Sequence, residues 1–166
     1  RNHSRNRRPA RAFRGRIPAR PARPGARAEH GRARDFFGDV VCAYTRADAI
    51  RDGVLIEVPV DLARPAGFTV PVAVTTAVWD LVDPGNLDDM PGQSVEGRLW
   101  DLLWLCGCAA RATKHKDTVI FPCAFLFTRE ERGAEITEHK THILKAICGP
   151  GDRGEPVITI MLPGED

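Results

Sequence analysis

The sequence predicts an α+β fold: a small antiparallel sheet of three to four strands packed against one long apolar helix, with shorter helices around it. Three observations predict it. Residues 95–112 place Leu99, Leu102, Leu103, Cys106, Ala109 and Ala110 at helical spacing. Three β-prone apolar runs follow in the last third, separated by short turn-rich segments. All of this falls after an abrupt change of composition at Asp35, so residues 35–166 read as a single domain of ordinary size.

Residues 1–34 are different in kind. They hold 12 Arg and one acid, Glu29, and their apolar residues larger than Ala, Pro excepted, are Phe13 and Ile17. Such a segment buries too little surface to offset chain entropy, and a disordered Arg/Ala/Pro/Gly-rich extension is expected. Runs of this composition also arise when a GC-rich stretch ahead of a start codon is translated. The chain opens on Arg, so a mis-assigned start is the expectation for residues 1–34. The extension has a net charge of +11 and residues 35–166 have −9, which together give the overall +2. This split excludes a uniformly basic nucleic-acid binder. No run of 18 or more apolar residues exists, which excludes a helical membrane span and leaves no membrane partner expected.

The elements follow in order. Val40–Tyr44 is a short β-prone run. Thr45 starts a helix: its hydroxyl accepts an orphan N–H, and Asp48 suits the positive helix end. Asp52-Gly53 stops that helix early. Val54–Val58 is a strand that Pro59 ends, and Asp61 caps one helical turn, Leu62–Ala66, before Gly67. Val72–Val82 carries Val74, Ala77, Val78, Leu81 and Val82 at helical spacing, with Trp79 on the border of that face. Ser94 caps the long helix alone, because Gly97 stands where a capping-box acid would. Thr118–Thr128 is almost wholly apolar and reads as a sheet-centre strand, although Pro122 marks a bulge or an edge. Arg129–Ala134 is a charged turn, Thr141–Cys148 a second strand, Gly149–Gly154 a hairpin connection and Pro156–Leu162 a third strand. Short connections favour antiparallel pairing, and the strand at Val54 extends the sheet.

Chemistry-bearing residues are scattered. Five cysteines, Cys42, Cys106, Cys108, Cys123 and Cys148, lie mostly among apolar neighbours and read as buried, reduced thiols. A cytoplasmic setting follows, since the N-terminus also lacks the apolar stretch of about 7–15 residues that secretion needs. A zinc site assembled from Cys106, Cys108 and His115, or from His139, His142 and Cys148, lacks the paired-hook spacing of structural zinc. Cys148 is the best-placed nucleophile of the five, beside a Gly-Pro-Gly loop, yet no catalytic signature surrounds it. Asp35, Asp39, Asp88, Asp89, Glu96 and Asp101 read as solvated acids, and Glu96 and Asp101 are five apart, off any shared helix face. The Gly149–Gly154 loop lacks the Lys-Ser/Thr of a phosphate-binding loop. No catalytic residue, metal ligand or cofactor is therefore expected, and the balance leans away from an enzyme. Trp79, Trp100 and Trp104 suit a core by their spacing. Turned outward, they form with Arg153 the expected interaction surface.

The segments GDVVCAYTRADAIRDGVLIEV (38–58), AGFTVPVAVTTAVW (66–79), GQSVEGRLWDLLWL (92–105) and GPGDRGEPVITIMLPGED (149–166) resemble a family of small uncharacterised bacterial proteins, a domain of unknown function also carried by plasmids and phages. The likeness covers residues 35–166 and implies a domain boundary and a mobile-element setting, with no catalytic residues to carry over. The leading expectation is an accessory protein of mobile elements acting by protein–protein binding, its partner unidentified. The alternatives are a nucleic-acid-associated protein using the arginines of residues 1–34 non-specifically, and a small metal-assisted enzyme.

Overall fold

The computed structural model describes residues 44–165, apart from 88, 89, 91, 114, 115 and 132. The Arg-rich extension, the boundary at Asp35 and most of the strand expected at Val40–Tyr44 lie outside the described residues, as do Asp35, Asp39, Cys42, Asp88, Asp89 and His115.

The described elements are α1 (Arg46–Arg51), β1 (Leu55–Glu57), α2 (Val60–Ala63), β2 (Val72–Thr75), α3 (Thr76–Val82), α4 (Val95–Ala112), β3 (Thr118–Glu131), β4 (Ala134–Pro150) and β5 (Pro156–Met161). The α+β class holds. Among the described residues the sheet has five strands in the order β1-β2-β5-β4-β3, and β2 runs parallel to β5 while every other pair is antiparallel. The expectation of three to four antiparallel strands is thus corrected to a mixed sheet of five. The added strand is β2, whose four residues fall inside the segment read as helix. All four are buried, so the run shows no alternation, and periodicity cannot tell a fully buried strand from a helix. Thr75 ends it and caps α3, its Oγ1 accepting from Val78 N at 3.4 Å.

Two further expectations change. β3 is an edge strand, not a central one. Its apolar character comes from Val119, Phe121, Cys123 and Phe125 buried on one face, while Ile120 on the other is 63% exposed. Pro122 fits the edge because it has no N–H to give a second neighbour. The charged turn at Arg129–Ala134 is mostly strand: the β3–β4 ladder continues to Glu131↔Ala134, and the chain reverses at Gly133, whose φ is 78°. Before Thr141, the exposed residues 136–140 give no alternation to read, so hairpin pairing alone extends β4 back to Ala134. α2 begins directly after Pro59, with Asp61 inside its first turn rather than capping it. Pro59 is the N-cap residue: its carbonyl accepts from Leu62 N and Ala63 N, both at 3.0 Å, and its missing N–H costs the helix nothing.

The caps at both other helix starts form as their residues imply. Asp48 N donates to Thr45 Oγ1 at 3.0 Å and Thr45 N donates to Asp48 Oδ2 at 3.1 Å, a reciprocal box. Gly97 N donates to Ser94 Oγ at 3.0 Å. One sheet face carries the core. Ile56, Val72, Val74, Ile160, Leu144, Ala146, Phe121 and Phe125 meet Val78, Trp79 and Val82 of α3 and Leu99, Leu102, Leu103 and Cys106 of α4. Each such aliphatic side chain contributes roughly 1.5–3 kcal/mol by leaving water. The other face is closed over β2 and β5 by polar contacts: Arg46 Nη1 donates to Thr159 Oγ1 at 2.8 Å, and Thr75 Oγ1 donates to Glu165 Oε2 at 2.9 Å.

Candidate functional site

The residues predicted to form an interaction surface separate in the structure. Trp79 belongs to the core: it is 1% exposed and its buried Nε1 has no hydrogen-bond partner among the described residues. Its place on a surface is therefore corrected. The short helix α3 is packed between sheet and α4, so the border position read from the sequence faces protein, not water. Arg153 is exposed in the turn between β4 and β5, where its N–H donates to Glu155 Oε2 at 2.9 Å. Neither residue joins the other two.

Trp100 and Trp104 do come together. One helical turn apart on α4, their rings stack at 6.4 Å with 17° between planes. Arg111 extends the row: its guanidinium lies 5.7 Å from the Trp104 ring centre, and Nη2 donates to Cys108 Sγ at 3.3 Å. Trp104 is 49% and Leu105 38% exposed. Trp104, Cys108 and Arg111 thus make a strip along the solvent side of α4, opposite Leu102, Leu103 and Cys106, and half-buried Trp100 joins the strip to the core. Leu105 is three residues after Leu102 and four before Ala109, at the border of the apolar stripe, where spacing alone does not tell an inner from an outer position. Gly107 sets the strip's lower border. A Cβ there would stand 3.3 Å from Ala66 O, so glycine lets the loop after α2 close on α4.

The other candidates disperse. Cys106 and Cys108 face opposite sides of α4, buried and exposed, as one intervening residue on a helix requires. Burial pushes the Cys106 thiol up to about 12 and, with Asp101, the Cys123 thiol to about 11, so neither is an activated nucleophile. Cys148 is exposed on β4. His139 and His142 point to opposite faces of β4. His142 lies against Phe125 and Phe127, with ring centres 6.2 and 5.9 Å away, and its buried Nε2 has no hydrogen-bond partner among the described residues. Among the described residues no three His, Cys, Asp or Glu side chains converge as metal ligands. A shallow cleft of about 220 Å³ lies beside β1, lined by Glu57, Val60, Arg64, Phe68 and Val70 among others.

One polar residue was not singled out by sequence. Arg98 is 3% exposed and spans the core's end. It donates to Leu81 O at 3.0 Å, to Gln93 Oε1 at 3.1 Å and to Leu126 O, and its guanidinium lies 5.7 and 5.4 Å from the Phe125 and Phe127 ring centres. Burial lowers its pKa, with Asp83 opposing. The signal was present: Arg98 stands four residues before Leu102, on the apolar stripe itself. Its contacts join α3, the loop before α4 and β3, which makes it a structural clasp.

The chain belongs to a family of unknown function, DUF6573, whose model matches residues 34–166. No curated protein and no solved structure matches it. Among the described residues no helix is long and apolar enough to cross a membrane.

Proposed function

We propose that the chain is a cytoplasmic accessory protein of bacterial mobile elements that acts by binding another protein through the solvent side of α4. The observation that carries this reading is the Trp100–Trp104 stack with Trp104 and Leu105 left exposed. Large aromatic side chains held rigid at a surface are the usual anchors of protein contacts, because little entropy is lost when they are covered. The net −9 of residues 35–166 favours a partner with a basic rim. The mobile-element setting rests on the family resemblance of residues 38–58 and 149–166.

The test uses the chain and its Trp104→Ala/Leu105→Ala variant as baits in a bacterial extract. Each protein retained by the first and lost by the second is purified and titrated against both by calorimetry. The reading requires at least one direct partner whose affinity falls about 10²-fold or more in the variant, the loss typical of an anchor pair. Equal retention by both baits contradicts it. A second reading, nucleic-acid binding by the twelve arginines of residues 1–34, predicts affinity that falls steeply with salt and disappears when those residues are deleted.

A further inference from the structure

The β3–β4 ribbon outruns the rest of the sheet. β4 pairs with β5 only over Lys145–Pro150, so, among the described residues, 134–144 have β3 on one side and no strand on the other. Pro122 stands opposite Ile143. Lacking an N–H, it keeps that register only if the backbone groups of this pair point away from each other. Alternation settles the rest: residues 137, 139, 141 and 143 direct their N–H and C=O groups to the open side of β4. Cys148 N, which donates to Asp117 O at 2.7 Å on the β3 side, has the opposite parity, as required.

Among the described residues no strand covers either edge of the ribbon, and the two edges are not equivalent: on β3 the Leu126 carbonyl already accepts from Arg98. On β3, Pro122 removes a donor from the outer edge and blunts it. The open edge of β4 has no proline over residues 134–144, and Thr137, His139, Thr141 and Ile143 are all exposed along it. A two-stranded ribbon is marginal by itself and gains from a third strand.

We propose that this edge pairs with the same edge of a second copy of the chain, antiparallel about a two-fold axis at His139. In that register Glu138 faces Lys140 of the second copy and Lys140 faces its Glu138, while Thr137 faces Thr141. Glu138 and Lys140 occupy non-hydrogen-bonded positions, where cross-strand side chains approach closest. Moving the axis to Thr137 or to Thr141 keeps the backbone pairing but sets Glu138 against Ile136 or Leu144 and loses both ion pairs. Charge complementarity thus selects one register. The contact is self-complementary and closes at two copies.

Sedimentation equilibrium of the full chain tests this, with Thr141→Pro, Glu138→Lys, Lys140→Glu and the double reversal. Thr141→Pro puts a proline on the open edge in the orientation Pro122 already has on β3, so the ladder inside the ribbon survives. The full chain is expected to dimerise, and Thr141→Pro to be monomeric with unchanged far-ultraviolet circular dichroism. Each single reversal is expected to weaken the dimer about tenfold, and the double reversal to restore it. Should Thr141→Pro unfold, the charge series still decides. A monomeric wild-type chain, a dimer indifferent to these changes, or a double reversal no tighter than the single ones overturns the proposal.

Discussion

Arg98 brings a guanidinium into the core and holds it there with carbonyls and ring faces, not with a hydrogen-bonded carboxylate. Replacing it leaves acceptors without donors, and that asymmetry dominates the cost. Arg98→Met is expected to destabilise by about 2–3 kcal/mol in urea unfolding, with the Leu81 and Leu126 carbonyls left unpaired. A loss indistinguishable from zero would show that water satisfies them. His142 predicts a pH effect. Burial, helped by Lys140, lowers its pKa below the ordinary 6.5. As pH falls, the unfolded chain takes up this proton before the folded one does, so the unfolded state is favoured. Stability from this source is intact above pH 6.5 and is lost as pH drops through the lowered value. Unfolding midpoints of His142→Phe should therefore depend less on pH below 6.5 than those of the wild type. The cysteines give a third check: an aromatic disulfide reagent at neutral pH should modify Cys108 and leave Cys106 untouched until unfolding, because only the latter is buried with a thiol pushed up to about 12. Little of this was legible beforehand. Arg98 stood on the apolar stripe, but residue type outweighed position, and the two rings beside His142 come from another strand.

At the scale of elements, local chemistry was readable and long-range pairing was not. The Thr45 box and the Ser94 cap involve residues three apart, so their partners are adjacent in the sequence. The remaining cap on α1 is different. Asp152, from the β4–β5 turn, accepts from Arg46 N at 2.7 Å and Ala47 N at 2.8 Å. No spacing rule reaches across such a separation. Asp152→Ala should lower stability by about 1 kcal/mol, and Asp152→Asn by less, because the amide oxygen still accepts. Thermal unfolding of the three proteins orders them, and an alanine variant as stable as the asparagine one would contradict the cap. β2 and the far half of the hairpin were missed for opposite reasons. β2 loses alternation because all four of its residues are buried, whereas residues 136–140 lose it by being exposed. Both depend on which strand lies alongside.

Over the whole molecule, the apolar interior is shared by one sheet face, α3 and α4, and what remains outside is unevenly distributed. Trp104 and Leu105 lie exposed on α4, Ile120 and Ile143 on the ribbon, and residues 134–144 leave one edge of β4 without a described strand beside it. The first of these is the surface assigned to a partner protein; the last is assigned to self-association. The two lie on different elements, so the variants that disturb one leave the other intact. The Trp100–Trp104 pair was legible as a spacing of four on a helix, while its outward orientation required knowing that Leu99, Leu102 and Cys106 take the inner side. The most direct measurement is calorimetric titration of the captured partner into the chain and into Trp104→Ala/Leu105→Ala. Binding that falls about 10²-fold in a variant of unchanged fold is the predicted result. Equal affinity for both proteins would contradict the assignment of this helix face.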